Sequence, residues 1–489
     1  LYRGARASLH EHGSLSTLQR GPDFLDASDG ASDESGMDDS HQQALRNLAA
    51  ELVERAGKKG ADAADALVSE SRNLSVRVRL SDVERVEEAG SRSAGLRVLV
   101  GDRSASATTN DLSEHGLEIL VGDALELARL AERDELARPP DRDPSAPPPP
   151  DLDLYDPGLV DFDASVATDW ARRAEDAARA HDERISNSEG AECARSVGSF
   201  AFATLDGFIG GYPSSSCSIS VQPLVDDVGG KKRTGSYWDA RRHRADLQTP
   251  ESVGVEAARR AVGRLGARKM ASAQLPVVFD PDAGRALIAA FFGCISGSSV
   301  YRRSTYLVDR EGTPVASEAV NISDAPLLPR LAGSRPFDGD GLPTRTNIVV
   351  ENGVLRTYLF DTYSARKLDR QSTASAGRSL SRPSVTASNF HLLPGHQRPE
   401  ELLAAVEHGL YVTSMMGFGF NPVTGDFSRG AEGFAIRDGH LAEPIGEITI
   451  SANFDDLFRS IDAVADDLSP KSKVACPTFR VSRMTVSGT

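Results

Sequence analysis

Residues 417–454 read GFGFNPVTGDFSRGAEGFAIRDGHLAEPIGEITISANF. Glycines at 417, 419, 425, 430 and 433 mark a backbone that turns sharply or passes close to another strand, and the polar residues between them offer donors and acceptors to a neighbour. Behind this loop, short alternating runs flank Asp438-Gly439, the dipeptide of a tight hairpin turn, and continue through Ile445 to Ile450. The loop therefore hangs from a sheet. Either it is a glycine-rich bulge of a hairpin or it meets a partner, and Asn421, Asp426, Ser428 and Arg429 are its candidate contact residues.

Working outward, the strand-rich half opens at LPVVFDP, Leu275 to Pro281, and is preceded by a different pattern. Leu45, Leu48, Leu52 and Val53 recur at helical spacing. Leu74, Val76 and Val78 alternate with polar residues, as do Leu96, Val98 and Val100, predicting strands joined by polar turns. Helices are predicted over Ser113 to Glu132, Asp163 to Asp182 and Pro250 to Arg264, and strands over Glu192 to Leu205, Ser216 to Leu224 and Gly235 to Asp239. This order predicts an α+β fold, with helices packed on antiparallel strands first and a β-rich domain after. The expected divisions are an acidic disordered extension over 1–40, an N-terminal α+β domain over 41–270 and a C-terminal domain over 271–489. From Asp23 to Asp39 the chain holds seven acidic residues and no basic one. The proline-rich run over 138–150 is a stiff connector that could subdivide the second region.

Composition narrows the function classes. The chain has 489 residues, 55 basic and 71 acidic, for a net charge of −16. That balance repels a phosphate backbone, so nucleic acid is not an expected partner. The basic cluster Lys231 to Arg233 and Arg241 to Arg244 interleaves with Tyr237 and Trp238, a pattern suited to nucleotide stacking but more simply a charged loop. No run approaches the roughly 20 apolar residues that span a bilayer, and the first residues carry no apolar signal region, so a cytoplasmic, membrane-free protein is expected. Cys193, Cys217, Cys294 and Cys476 are widely spaced and form no CxxC, which fits reduced thiols. His10-Glu11-His12 lacks helical zinc spacing, and the run from Gly293 to Gly297 is not GxSxG.

The second half carries further ordered motifs: TNIVVENGVLRTYLFDTYSARKL (Thr346 to Leu368), NFHLLPG (Asn389 to Gly395), the glycine-rich loop and the terminal PTFRVSRMTVSGT. Together with Leu74 to Ser113 in the first half, they resemble the TldD/PmbA family, also described as modulators of DNA gyrase. The resemblance spans about Leu45 to Thr489. It implies one of two kinds of subunit. The metal-bearing kind carries HExxxH on a helix, where two histidines on neighbouring turns bind zinc and the glutamate activates water. Laid over DAGRALIAAFFGCISGSS, Asp282 to Ser299, that pattern falls on Ala289, Ala290 and Cys294. The cysteine ligand of the metal-bearing kind lies in a glycine-rich loop, whereas Cys476 directly precedes Pro477, so that role is not transferred. The resemblance thus implies the PmbA-like (TldE-like) subunit, which binds no metal itself and pairs with a zinc-bearing TldD-like partner in a cytoplasmic metalloprotease for small unfolded peptides. No catalytic residue is assigned to this chain. His391, in NFHLLPG, is a candidate contact residue, with a structural histidine as its simpler role. The alternatives are a peptide-binding scaffold without protease activity, or a gyrase modulator; a self-sufficient enzyme using Cys294 or His391 is the most distant.

Overall fold

The alternation of Leu74, Val76 and Val78 with Ser75 and Arg77 lays one apolar face along a strand much longer than the alternating run itself. The structure, a computed structural model, describes residues 39–143 and 150–488. Helix α1 (Asp39–Lys58) is followed by β1 (Ala63–Arg79), β2 (Asp82–Val100), β3 (Arg103–Thr109) and α2 (Glu114–Leu130). Helix α3 (Ala164–His181) then leads to β4 (Asn187–Thr204), β5 (Ile209–Asp226), β6 (Lys232–Thr234), β7 (Tyr237–Arg241) and α4 (Pro250–Val262). These strands form one antiparallel sheet in the order β3-β2-β1-β4-β5-β6, with β7 also paired to β5. The predicted acidic extension lies outside the described residues through residue 38, and Asp39 and Ser40 already belong to α1.

All four helices cover one face of this sheet. Leu52 and Val53 of α1 and Leu120 and Val121 of α2 pack on Ala66, Val68 and Leu96; the alanine-rich faces of α3 and α4 pack on Val76, Cys193 and Ile219. On the opposite face, Leu67 and Phe202 gather with Phe200, Phe208 and Tyr212 around Phe337 from the second half of the chain. Beyond that cluster the same face carries Ser196, Ser214, Ser216 and Ser218. The proline-rich connector, of which residues 144–149 lie outside the described residues, does not separate two sheets. Strands β1 and β4, on either side of it, pair from Asp65↔Thr204 to Val78↔Ala191.

One prediction is corrected here. The charged stretch after Leu80 was expected to be a turn; it is the exposed first half of β2, paired with β1 from Arg79↔Asp82 onward. Backbone hydrogen bonds hold it without burial of side chains. The turn itself is Leu80-Ser81, both at positive φ (52° and 69°), and the fully buried Glu175 carboxylate accepts from their amides at 2.9 and 2.8 Å.

The second half begins with β8 (Ala273–Phe279), α5 (Pro281–Ile295) and α6 (Gly297–Tyr301). Next come β9 (Ile322–Asp324), β10 (Asn347–Glu351), β11 (Val354–Leu355), α7 (Thr362–Lys367), β12 (Ala376–Arg378), β13 (Pro383–Val385) and β14 (Phe390–Leu392). The chain ends with α8 (Pro399–Ala404), β15 (His408–Met416), β16 (Asp426–Arg437), β17 (His440–Asn453), α9 (Phe454–Arg459), β18 (Ile461–Val464), β19 (Val474–Ala475) and β20 (Phe479–Ser487). In the six-stranded order β17-β16-β15-β8-β20-β18, the first five strands close into a ring because β17 also pairs with β20, and β18 pairs with β20 outside it. The pairing covers the edge that β17 would otherwise expose, and β8 lies inside the sheet between β15 and β20. The predicted hairpin turn is present, with Asp438 and Gly439 both at positive φ. A five-stranded sheet, β11-β10-β9-β14-β19, and the small β12-β13 pair complete the architecture. The fold is α+β, as the element order predicts. Among the described residues no helix is long and apolar enough to cross a membrane.

Candidate functional site

Helix α5 follows directly from β8, whose Phe279 stacks on Phe479 at 5.2 Å. Its N-cap is Asp280, which accepts from the Asp282 amide at 2.9 Å. Leu287, Ile288, Phe291, Cys294 and Ile295 face the core, where Phe291 meets Phe458 at 4.7 Å. The outward turn holds Ala289 and Gly293, both exposed, and the half-buried Ala290. Of the three positions that the resemblance sets against HExxxH, Ala289 and Ala290 thus reach an accessible surface and Cys294 lies beneath it. Burial pushes the Cys294 thiol up to about 11, against a hydrogen bond from Thr305. These residues do not fit a zinc ion: alanine offers no lone pair, and a buried, protonated thiol alone cannot replace the three protein ligands a catalytic zinc needs. Nor, among the described residues, do any three or more His, Cys, Asp or Glu side chains cluster so as to hold a metal. Cys476 lies at the other end of α5, its Sγ 3.5 Å from the Pro281 carbonyl oxygen, and is also buried.

The glycine-rich loop is joined to this helix by packing. The Tyr306 amide, next to Thr305, donates to the Pro422 carbonyl at 2.8 Å. An aromatic ladder runs from Phe420 to Phe454 (4.2 Å), Phe458 (5.5 Å) and Phe291 of α5. Two glycines are required by close approach: a Cβ at Gly419 would stand 1.7 Å from the Ser428 carbonyl oxygen, and one at Gly433 1.8 Å from that of Tyr411. Within the loop, Asn421 Oδ1 accepts from the Val423 amide at 3.0 Å, shaping the bend. Asp426 accepts from Thr424 at 2.7 Å and from Asn453 at 3.2 Å, which holds its carboxyl below the usual carboxylate range. Ser428 is exposed, and its amide donates to Gly419. The Arg429 Nε is buried with no hydrogen-bond partner.

These four residues therefore lie at one hairpin end. His391 does not join them: it sits on β14 of the five-stranded sheet, opposite Ser323 and Ala475 in register. Only 4% of it is exposed, its Nε2 has no partner, and burial lowers its pKa to about 4, so it is neutral near pH 7.

Two features escaped sequence reading. Phe418, at the loop tip, is fully exposed, flanked by the exposed Met416 and Val423; its place between two glycines was the available sign. The other is a cavity of about 730 Å³ bordered by Arg97, Asp134, Tyr301, Asp340, Asp361 and Tyr363. Tyr301 and Tyr363 meet edge to face at 6.0 Å, and the Tyr363 hydroxyl donates to Asp134 at 2.8 Å. Burial raises the Asp361 carboxyl, which also caps α7. These residues come from segments far apart in the chain, so no local pattern marks them.

Comparison with known proteins places these features in a family. Residues 64–128, 156–265 and 272–488 match, in turn, PmbA/TldA metallopeptidase domain 1, the central domain and the C-terminal domain. The chain is 35% identical over 452 residues to a metalloprotease PmbA homolog of Haemophilus influenzae, covering 92% of this chain and 97% of that one. It is 34% identical over 450 residues to metalloprotease PmbA of Escherichia coli O157:H7, with the same coverage. A crystal structure from Bacteroides thetaiotaomicron, described as a modulator of DNA gyrase, superposes with a TM-score of 0.85 at 27% identity, covering 93% of this chain and 100% of that one.

Proposed function

Because the chain belongs to the PmbA/TldD metallopeptidase family, we propose that it is the subunit without a metal site in a two-subunit cytoplasmic metalloprotease that degrades or trims small unfolded peptides. The outward turn of α5 carries this reading. In the alignment that the resemblance implies, Ala289 and Ala290 take the positions of ligand and base, and in support of this reading the thiol of Cys294 is packed away beneath them. The metal and the water it activates belong in this reading to a TldD-like partner carrying HExxxH. This chain supplies cavity wall and interface, with Asn421, Asp426, Ser428 and Arg429 on the contacting loop and Phe418 at its tip.

Co-expression with a HExxxH-bearing relative tests the proposal. The expected result is co-purification, peptide hydrolysis by the pair, and near-zero zinc in this chain alone after dialysis without chelator. About one zinc per chain, the stoichiometry of a catalytic site, together with hydrolysis by the isolated chain, would refute it. A scaffold acting without protease predicts peptide binding but no activity with any partner. The gyrase name of the structural relative suggests a third assay, supercoiling with and without this chain, for which a net charge of −16 argues against direct DNA contact.

A further inference from the structure

In a chain this acidic, a cavity bordered by cations and by no carboxylate stands out. One of about 300 Å³ lies where β5 and β7 meet the 330–332 and 470–471 segments. Its charged walls are Arg241, Arg242, Arg330 and Lys471. Arg241 is paired with Asp239 at 3.0 Å, and Arg330 with Asp153 at 2.6 Å. The other two differ. Arg242 donates to the carbonyls of Leu331 (2.9 Å), Ala332 (3.0 Å) and Ser215 (3.4 Å), which fix its plane without cancelling its charge. Among the described residues neither Arg242 nor Lys471 has a carboxylate within ion-pair distance. A partly buried cation without a counter-ion is costly, and a bound anion would offset that cost.

Small hydroxyls continue from this cavity along the helix-free face of the seven-stranded sheet. Ser196 and Ser216 stand opposite each other in the β4–β5 register, and both also border a neighbouring cavity of about 280 Å³ containing Ser75 and Ser218. Serines supply hydrogen-bond donors and acceptors without filling the trough. A nucleotide is a poor match despite the aromatic residues nearby. Tyr237 is covered by Lys471 at 4.0 Å and Arg260 at 4.9 Å, while Trp238 is covered by Arg285 at 5.5 Å and Lys471 at 5.6 Å. Cations of the chain itself occupy the rings that a base would need.

We propose that this cavity binds a peptide carboxylate, so that an extended acidic peptide lies along the serine-bearing face with its carboxylate against Arg242 and Lys471. The proposal rests on the peptide-handling reading above and adds to it a preference for acidic sequence. Arg242, held by three carbonyls, is the fixed donor; Lys471, on a loop, is the adjustable one.

The test uses the full chain alone, so its failure leaves the zinc-content and co-purification results intact. Fluorescence anisotropy is followed with a labelled Gly-Ser-Gly-Glu-Glu-Glu peptide and with its Gln-for-Glu, C-terminally amidated counterpart. Expected are preferential binding of the acidic peptide, weakening with salt, and a loss of about tenfold or more on Lys471→Glu and on Arg242→Gln, the scale of a charge-assisted hydrogen bond. Lys58→Glu, the same charge change on α1 over the opposite face, should stay within about twofold of wild type on the same scale. Among the described residues Lys471→Glu breaks no hydrogen bond or ion pair and gives up only the exchangeable contact with the Tyr237 and Trp238 rings, so, with an unchanged thermal melt, it keeps the test decisive if Arg242→Gln misfolds. Equal affinity for the two peptides, or an unaltered Lys471→Glu variant, would overturn the proposal. So would inorganic phosphate binding through Lys471 in the absence of peptide binding, or displacement of the peptide by a single-stranded oligonucleotide at lower concentration.

Discussion

Phe418→Ala separates interface from fold. The ring is 102% exposed at the tip of the loop between β15 and β16, so it contributes no packing that folding could lose. Its position is nevertheless fixed, because the neighbouring Gly419 carbonyl accepts from the Ser428 amide at 2.8 Å and the Phe420 ring is stacked 4.2 Å from Phe454. A phenylalanine passing from full exposure to burial gains about 1.5–3 kcal/mol. If the loop seats against the metal-bearing partner, truncation should therefore weaken association by about 10- to 150-fold. Titration calorimetry with the purified partner measures this directly, and a thermal melt of the isolated chain should shift by less than about 2 °C, as expected when no folded-state contact is removed. Val228→Ala, another exposed apolar residue but on the β5–β6 connection, serves as the control and should leave affinity unchanged. An affinity for Phe418→Ala within twofold of wild type would show that the loop tip lies outside the interface. A large fall in melting temperature would show instead that the ring packs within the chain.

Other expectations concern stability and reactivity. Glu175→Ala leaves the Leu80 and Ser81 amides without their buried acceptor and should cost about 1–3 kcal/mol in denaturant unfolding, with faster amide exchange at that turn; unchanged exchange would refute the cap. His391 has a folded pKa of about 4 against about 6.5 unfolded. The unfolded chain therefore takes up the proton first as pH falls, so stability is full above about pH 6.5 and declines by about 3 kcal/mol on approach to pH 4. His391→Gln should flatten that limb, and an unaltered pH profile would refute the assignment. The thiols of Cys193 and Cys217, pushed up to about 12 by burial, and of Cys294 should resist iodoacetamide at pH 8 until unfolding, as should buried Cys476. Rapid native labelling of any would contradict its burial.

What the sequence made legible follows from local periodicity. The hairpin at Asp438-Gly439 was readable because a turn needing positive φ at two positions selects few dipeptides. Helix α2 was readable because Ser113 caps a run with a clear apolar face, and its side chain accepts from the Gly116 amide as a cap should. The first half of β2 was not, since Asp82 to Arg92 is exposed and charged and is a strand only through its pairing with β1. Of the loop candidates, the glycine spacing showed that two backbones approach closely, yet nothing in it distinguished Phe418 from Phe420. One is bare, whereas the other is packed on Phe454. The serine-lined trough was hidden for another reason. Alternation in β5 reveals that Cys217, Ile219 and Val221 share a face, but which segments close the other face depends on Arg330 and Lys471, more than 100 residues away.

The packing beneath α5 also bears on the proposal that the metal belongs to the partner. Substituting histidine and glutamate at Ala289 and Ala290 would meet little resistance, since one side chain is exposed and the other half-buried. Position 294 is different. Cys294 is fully buried in the core beside Phe291 and Ile295, with Thr305 as its polar neighbour, and Thr305 precedes the Tyr306 amide that ties the glycine-rich loop through Pro422. An imidazole there adds volume to a filled site, at about 1–3 kcal/mol of overpacking, and pushes on the segment that positions the loop. Introducing His, Glu and His at positions 289, 290 and 294 would thus give two accessible groups and a displaced third, and it would disturb the surface proposed to meet the partner. The residue at position 294 and the shape of the loop are coupled through one patch of core.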